Sequence, residues 1–163
     1  MKYLTINTFN KVPITKNNLV LCDIDDTLLT NKTIYLKHKQ TNSDKPDIKL
    51  KLPSYIDKSG FNNLLQRLKI TESKLYFITS RNEKSSDFTN NQFKLLDIDI
   101  NNYPILYCGE NHKSNIVKKF IDINSYDNVI FIDDLTHNLR NMKKEFGDKV
   151  KCFLFKKNDC DNK

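Results

Sequence analysis

Apolar and polar positions follow one another along this chain in two ways. Short, largely apolar runs, the length of strands buried on both faces of a parallel sheet, occur at residues 19–22, 74–79, 105–108, 129–132 and 150–155. Between them apolar residues recur every three or four positions, which is typical of amphipathic helices. This alternation predicts a parallel sheet with right-handed crossovers. We therefore expect an α/β fold, a three-layer Rossmann-like sheet with helices on both faces.

Four helices are predicted from the spacing. The first follows Gly60, the second covers about residues 85–96, the third follows Lys113, and the fourth ends near Gly147, which has the position of a C-cap glycine. Their apolar stripes are Phe61, Leu64, Leu65 and Leu68; Phe88, Gln92, Leu95 and Leu96; Ile116, Val117, Phe120 and Ile121; and Leu135, Leu139, Met142 and Phe146. These stripes are expected to face the sheet.

The N-terminal segment fits this pattern less directly. Apolar residues between positions 3 and 9 suit an edge strand, whereas Pro13 and the pair Asn17 and Asn18 favour an irregular lead-in before the first core strand. We set residues 1–18 apart as an N-terminal lead-in. Residues 19–163 are expected to form a single domain, because a chain of 163 residues has no room for a second full one.

Residues 30–53, within an insert that extends to about residue 58, have the pattern of a small β-flap. Residues 33–37 and the strictly alternating residues 48–52 predict two strands, and the polar residues 40–46 suit their loop. As a flap over the strand ends the segment would turn its lysines towards a phosphate, and as an ordinary surface hairpin it would leave them in solvent. The lysines concerned are Lys37, Lys39, Lys49 and Lys51.

Composition narrows the class of protein. Hydrophobic residues make up 38% and charged residues 29% of the chain, as in globular proteins. The apolar runs are far short of a membrane span, and residues 1–7 lack the apolar stretch of a signal peptide. We therefore expect a cytoplasmic protein with no membrane partner. Free thiols are expected, because no CxxC spacing occurs, at Cys22, Cys108, Cys152 and Cys160.

The net charge of +7, from 27 basic and 20 acidic residues, raises the question of a nucleic-acid partner. The basic residues are nearly all lysine, and they are scattered without a basic block. This distribution is weak evidence for an anionic substrate and carries no information on its size. A phosphorylated substrate of unspecified class is the expected partner, and charge alone does not establish nucleic acid.

The stretch that follows the first buried strand carries the strongest chemical signal. Asp23, Asp25 and Asp26 come directly after residues 19–22, and Thr27 is next. Open α/β sheets bind ligands at the C-terminal ends of their strands. Two carboxylates separated by one residue can address one small site, one as nucleophile or metal ligand and the other as proton donor. The same residue types also serve as helix caps and turn residues.

Other strand ends carry polar groups as well: Thr79, Lys113 a few residues past its strand, and the pair Asp133 and Asp134. In a parallel sheet all of them lie along one edge. Two unit charges about 4 Å apart repel by roughly 4 kcal/mol at an effective dielectric near 20, so one lysine cannot offset four carboxylates. Either some acids are protonated or a hard divalent cation lies among them, and oxygen donors favour Mg²⁺. Such a set predicts a phosphoryl site.

These motifs resemble those of the haloacid dehalogenase superfamily. The sequence Asp-Ile-Asp-Asp-Thr-Leu at residues 23–28 looks like its DxDxT signature. Its remaining motifs are matched, in the same order, by Thr79, Lys113, Asp133, Asp134 and Asn138. The resemblance covers about residues 19–155. Within the superfamily, the chain is similar to an uncharacterised branch with little cap structure. It implies a phosphatase-like member with a minimal cap.

The resemblance also implies a role for each matched residue. Asp23 would attack phosphorus and form an aspartyl-phosphate, and Asp25 would protonate the leaving oxygen and then activate water. Mg²⁺ would be held by the Asp23 carboxylate, the Asp25 backbone carbonyl and Asp134, with Asp133 assisting. Residues expected to contact the substrate are Thr27, Thr79, Ser80, Arg81 and Lys113, with Asn138 as a supporting residue.

Three of these assignments have alternatives. The lysine could instead be Lys118 or Lys119, although both lie a turn or more into the helix. Ser80 is an alternative to the hydroxyl of the preceding residue. Arg81 either contacts the substrate or forms a surface ion pair. The three histidines have no partner pattern and are expected at the surface: His38, His112 and His137.

The motif set predicts a Mg²⁺-dependent phosphatase that hydrolyses a phosphomonoester through an aspartyl-phosphate intermediate. Because the insert after the first strand is short, an open site would accept a phosphoprotein or a nucleic-acid end as readily as a sugar phosphate. A protein or polynucleotide phosphatase is therefore the alternative enzyme. The alternative from another class is a binding protein that keeps the fold and is catalytically silent.

Overall fold

The structure, a computed structural model, describes residues 3–36 and 48–158. Several predicted features lie outside the described residues: the loop at 40–46, Lys37, His38, Lys39 and Cys160. Within residues 3–36 and 48–158, no helix combines the length and the apolar character that crossing a membrane requires.

A six-stranded parallel sheet forms the centre of the molecule. The described residues form these strands, six in the sheet and two outside it, in chain order: β1 (Leu4–Ile6), β2 (Asn18–Cys22), β3 (Leu29–Leu36), β4 (Ile48–Tyr55), β5 (Lys74–Thr79), β6 (Ile105–Tyr107), β7 (Asn128–Asp133) and β8 (Val150–Phe155). The helices are α1 (Lys58–Ile70), α2 (Ser86–Leu95), α3 (Lys113–Phe120) and α4 (Thr136–Phe146). The sheet order is β1-β8-β7-β2-β5-β6 with parallel neighbours, while β3 and β4 form a separate antiparallel hairpin.

Every residue of β2 is buried, and its side chains supply both faces of the sheet. Val20 and Cys22 belong to a core cluster completed by α1 and α2, and Leu19 and Leu21 belong to a second cluster completed by α3 and α4. Successive strand residues point to opposite faces, so a continuous apolar run is what a doubly covered strand requires. The predicted three-layer α/β fold is confirmed.

The order of the strands places their C-terminal ends where the acids lie. After β2 the chain builds β5 and β6 on one side of it, and then returns through α3 to build β7 and β8 on the other side. The direction of building therefore switches at β2. In such sheets the loops that follow the switching strands separate and leave a crevice. The loops after β2, β5 and β7 meet at that crevice.

The segment before β2 takes part in the core. Its strand β1 pairs with β8 at the edge of the sheet, and the side chains of Ile6, Phe9 and Val12 are buried. The guanidinium of Arg67 in α1 donates to the Phe9 carbonyl oxygen at 2.8 Å and also to the Val12 carbonyl oxygen. Between the two alternatives for this segment, the structure favours an edge strand, followed by an irregular stretch that packs on α1.

The apolar stripe predicted for α2 is partly wrong. Phe88 and Leu95 are exposed by 49% and 63%, and the side of the helix that faces inward carries Thr89, Gln92 and Phe93. Gln92 belongs to the predicted stripe, whereas Thr89 and Phe93 take the inward positions predicted for Phe88 and Leu95. The two polar residues both bind an arginine, as described below. Two residues predicted for other stripes also lie exposed at helix ends, Phe120 and Leu135.

The hairpin is longer than predicted, because its strands begin immediately after the acidic turn and continue almost to α1. Its base is fixed to the sheet domain: the Ile56 N–H donates to the Leu28 carbonyl oxygen at 3.1 Å, and the Tyr55 hydroxyl donates to the Leu96 carbonyl oxygen at 2.7 Å. The hairpin therefore starts beside the C-terminal end of β2.

Candidate active site

The turn that leaves β2 holds the first two polar side chains of the site. The Asp23 N–H donates to the Ile132 carbonyl oxygen of β7 at 3.0 Å, and the Leu28 N–H donates back to the Ile24 carbonyl oxygen at 3.0 Å. Asp26 adopts a left-handed conformation with φ of 62°, which a short polar residue tolerates. The turn brings the Thr27 hydroxyl to 3.0 Å from Asp23 Oδ2.

Lys113, at the start of α3, lies between two carboxylates. Its Nζ is 2.7 Å from Asp23 Oδ1 and 2.6 Å from Asp133 Oδ2, and all three side chains are buried. Burial alone would lower the pKa of Lys113, but the two carboxylates outweigh it and raise the pKa well above its usual value. Lys113 is therefore a permanently charged cation at the end of β2.

Asp133 is fully buried, and both of its oxygens already accept hydrogen bonds. Oδ1 accepts from the Leu135 N–H at 2.9 Å, and Oδ2 accepts from Lys113 and from Asn138 Nδ2, the latter at 3.1 Å. Asp134, the next residue, is only half-buried, and the Thr27 hydroxyl lies 3.5 Å from its Oδ1. Asp133 thus orients its neighbours, while the half-buried Asp134 is the more accessible of the two carboxylates.

Three carboxylates of the described residues meet at this point. One oxygen each of Asp23, Asp133 and Asp134 lies within 4.8 Å of the others. Burial, and then the neighbouring carboxylate of Asp133, raise the pKa of Asp23 and of Asp134. Lys113 offsets only part of this negative charge. An all-oxygen set with excess negative charge is suited to a hard cation, so the trio could hold a metal ion.

The acids line a small cavity of about 160 Å³. Its wall consists of Asp23, Asp25, Asp26, Ser80, Lys113, Asp134, Leu135 and Asn138. The Thr79 hydroxyl at the end of β5 is buried and accepts from the Arg81 N–H at 3.1 Å. A larger cavity of about 540 Å³ lies at the opposite end of β5, near Lys74 and Tyr103. Only the smaller of these two cavities is lined by residues predicted for the site: Asp23, Asp25, Ser80, Lys113, Asp134 and Asn138.

Asp25 is not one of the three grouped carboxylates, although it lines the same cavity, and it binds an arginine. Arg81 donates to both of its oxygens, from Nη2 to Oδ1 at 2.7 Å and from Nε to Oδ2 at 2.9 Å. The Arg81 side chain is only 11% exposed, and its Nη1 also donates to Thr89 Oγ1 and Gln92 Oε1, at 3.0 and 2.7 Å. Of its two alternatives, Arg81 therefore forms an ion pair, with the half-exposed Asp25, although buried acceptors on α2 hold its own guanidinium below the surface; contact with a substrate stays a prediction.

The alternatives to Lys113 lie elsewhere. Lys118 forms an ion pair with Glu145 at 2.7 Å and is 68% exposed, and the ammonium of Lys119 lies 5.3 Å from the exposed ring of Phe120. Of the histidines within the described residues, His112 Nδ1 lies 3.1 Å from Asn141 Nδ2 and His137 is exposed. The structure therefore brings Lys113, and neither of the later lysines, to Asp23.

Some polar residues around the site were not predicted. Thr89 and Gln92 bind Arg81, Asn31 of β3 accepts from Gln92 Nε2 at 2.6 Å, and Asp26 pairs with Lys157 at 2.6 Å. A usable signal existed for two of them. Thr89 and Gln92 are three positions apart, and Gln92 directly precedes Phe93, so a polar pair shares the inward side of the helix that follows β5 and Arg81.

Neutralising Asp134 should stabilise the chain when no metal is present. Like charges within 4.8 Å of one another repel, and solvent screening at the half-exposed Asp134 reduces the effect to a modest one. We expect Asp134→Asn to raise Tm in chelator by about 2–4 °C, and to lower the gain in Tm on adding Mg²⁺. Thermal unfolding with chelator and with Mg²⁺ measures both. An equal or lower Tm in chelator would show that the carboxylates do not repel as described.

The chain was compared with known proteins. Residues 104–154 match a family described as a protein of unknown function, DUF2608. No curated protein matches. The fold is similar to a chain in the structure of the Pnkp1/Rnl/Hen1 complex, with a TM-score of 0.56, 17% identity and 95% of this chain covered. The match covers 51% of that chain, so this chain spans about half its length.

A second solved structure has a similar fold. It is the crystal structure of the Legionella pneumophila effector Ceg4 with an N-terminal yeast Hog1p sequence, with a TM-score of 0.52, 11% identity and 91% of each chain covered. At these identities the two structures show a shared fold. The family match covers the segment from β6 into β8, which carries Lys113, Asp133, Asp134 and Asn138.

Proposed function

We propose that the chain is a phosphatase of the haloacid dehalogenase type, which hydrolyses a phosphomonoester with Asp23 as the nucleophile. The observation that carries this proposal is the setting of Asp23. Its two oxygens are oriented by Lys113 and Thr27 at the C-terminal end of β2, and the residue lines the 160 Å³ cavity. A nucleophile held by a cation and a hydroxyl next to a small polar cavity is what phosphoryl transfer requires.

The reaction would take place in two steps. A carboxylate oxygen of Asp23 forms a bond to phosphorus, the bond from phosphorus to the leaving oxygen breaks, and Asp25 gives its proton to that oxygen. Water then attacks the aspartyl-phosphate and loses a proton to Asp25. The bond between phosphorus and the Asp23 oxygen breaks, phosphate leaves, and the Asp23 carboxylate is restored.

Other residues of the cavity would hold the phosphoryl oxygens. Lys113 brings a positive charge to the cavity wall, since its Nζ bridges Asp23 and Asp133 there. Ser80 lines the cavity, and Thr79, the residue before it at the end of β5, has a hydroxyl that accepts from a backbone N–H and keeps its own proton to donate. Lys113 and the hydroxyls of Ser80 and Thr79 are the proposed phosphate-binding groups.

The acids fit Mg²⁺ as the resident metal. The half-buried Asp134 lines the cavity, Asp23 lies beside it, and Asp133 fixes the loop that carries Asp134. The Asp25 backbone carbonyl is the further ligand that the family resemblance implies. When bound, Mg²⁺ would balance negative charge on the phosphoryl oxygens and the carboxylates.

Phosphate release should depend on a divalent cation. We expect the native chain to release phosphate from a generic aryl phosphate in Mg²⁺ and to lose nearly all of this activity in chelator, because three acids with one lysine leave excess negative charge at the site. The measurement is inorganic phosphate released over time, first from the aryl phosphate and then from phosphopeptides, phosphorylated oligonucleotide ends and sugar phosphates.

The control is restoration of activity when Mg²⁺ is added back in excess of the chelator. Undiminished activity in chelator would contradict the metal requirement. A native chain that binds Mg²⁺, seen as a rise in Tm, but releases no phosphate from any of these substrates would favour the catalytically silent binding protein.

A further inference from the structure

A continuous series of hydrogen bonds joins the hairpin to Asp25. Asn31 Oδ1 of β3 accepts from Gln92 Nε2 at 2.6 Å, and Gln92 Oε1 accepts from Arg81 Nη1 at 2.7 Å. Arg81 then donates to both oxygens of Asp25, at 2.7 and 2.9 Å. Three separate parts of the chain, the hairpin, α2 and the loop after β5, therefore converge on one carboxylate.

The groups of α2 that bind Arg81 are buried, which keeps them in place. Gln92 is 2% exposed and Thr89 is fully buried, so the acceptors that Arg81 uses on α2 do not exchange with water. Thr89 also donates to the Ser85 carbonyl oxygen at 3.1 Å, which leaves its oxygen to accept from Arg81. A planar guanidinium bound at two ends keeps one orientation. Losing a buried acceptor leaves a buried donor unsatisfied, so it is costly.

Asn31 supports the orientation of the Gln92 amide in which the oxygen faces the arginine, because it accepts from the donor end of that amide. An amide has a donor end and an acceptor end, and only its oxygen can accept from Arg81. Because Gln92 Nε2 donates to Asn31 Oδ1, the amide oxygen is directed to Arg81 Nη1. Without the acceptor on Asn31, the amide loses the partner that fixes this orientation.

The orientation of the Asp25 carboxylate depends mainly on Arg81. Its side chain is 47% exposed, and Arg81 is the partner that binds both of its oxygens. A carboxylate offers about four lone-pair positions and Arg81 uses two, so one of the two that remain can carry the proton that Asp25 would give to a ligand in the cavity it helps to line. The position of Arg81 therefore decides the direction in which Asp25 faces the leaving oxygen.

We infer that Gln92 and Asn31 are positioning residues for Asp25, acting through Arg81 on proton transfer to the leaving group. The inference rests on the proposed function, in which Asp25 is the proton donor. It assigns the hairpin a specific part in the reaction: through Asn31 it aligns the acid that poor leaving groups need. Substrates whose leaving oxygen departs without a proton should depend on this alignment much less.

The test compares two phosphate esters that differ in this need. An aryl phosphate such as p-nitrophenyl phosphate has a leaving group that departs as an anion, whereas an alkyl phosphate such as ethyl phosphate requires a proton donor. The quantity measured is kcat/KM in Mg²⁺, because it reports the steps up to the aspartyl-phosphate and excludes its hydrolysis. A ratio of the two values cancels general losses of folding or metal binding.

We expect Gln92→Ala to lower kcat/KM for the alkyl ester at least about tenfold, a part of the usual contribution of a general acid, and to change the aryl value by less than about threefold. Asn31→Ala should shift the ratio in the same direction by a smaller factor. Asn31→Asp keeps an acceptor oxygen for Gln92 and should restore the native ratio. The matched control is Asn91→Ala, an exposed neighbour on α2 that should leave both values unchanged.

The outcomes separate the two proposals. Equal losses on both esters in Gln92→Ala, or an Asn31→Ala ratio equal to that of the native chain, would overturn the positioning role of the residue concerned and leave the phosphatase proposal standing. If Gln92→Ala does not fold, the variants of the exposed Asn31 test the series of hydrogen bonds on their own. A native chain that binds Mg²⁺ but releases no phosphate from either ester, or from the phosphopeptides, oligonucleotide ends and sugar phosphates named above, would overturn the proposed function and this inference together.

Discussion

Asp23→Asn is expected to abolish turnover, with kcat reduced by roughly 10³-fold to 10⁶-fold, the range for loss of a catalytic nucleophile. An amide of the same shape still accepts from Lys113 and still contacts Thr27, so the local geometry survives. It cannot form the aspartyl-phosphate, because its oxygen is a poor nucleophile and its nitrogen carries no free lone pair. Phosphate release from the aryl ester in Mg²⁺ measures the loss.

A folding defect would mimic this result, and thermal unfolding separates the two. Burial raises the pKa of Asp23, so folding disfavours its charged form, and the neutral amide should leave Tm in chelator equal or higher. The matched control is Asp148→Asn, which removes a fully exposed carboxylate and should leave kcat unchanged. If Asp23→Asn is folded and retains more than about one per cent of native kcat, Asp23 is not the nucleophile.

Much of the fold was predictable because its signals are local. The run at residues 19–22 is apolar at every position, as a strand covered on both faces must be, and β2 is buried throughout. Once the strands are parallel, their C-terminal ends share one edge, so the meeting of Asp23, Lys113 and Asp133 follows from chain order alone. That is why the sequence alone predicts a site at this edge.

The orientation of Asp25 was not predictable in the same way. Spacing places it two residues after Asp23, but its carboxylate turns to Arg81 and stays outside the group formed by Asp23, Asp133 and Asp134. That turn depends on acceptors far along the chain. Periodicity treats a buried polar residue as an exception, so it assigned the exposed Phe88 to the core and missed the reason why Gln92 is buried.

Lys113→Met should combine the largest loss of stability with a loss of activity. Lys113 bridges two buried carboxylates at 2.7 and 2.6 Å, and removing one partner of a buried ion pair typically costs about 3–5 kcal/mol. For a chain of this size we expect Tm in chelator to fall by roughly 10 °C. The burial that lets methionine pack here cannot compensate the charges left on Asp23 and Asp133.

The matched control is Lys118→Met, which removes the same charge from the exposed side of the same helix and should change Tm by only about one degree.

A divalent cation should further distinguish Lys113→Met from the native chain. Because the uncompensated charge of Lys113→Met lies within the three-carboxylate group, Mg²⁺ should raise the Tm of this variant more than that of the native chain, while phosphate release stays low for want of a cation on the phosphoryl oxygens. If Lys113→Met and Lys118→Met melt together, Lys113 does not balance the buried acids.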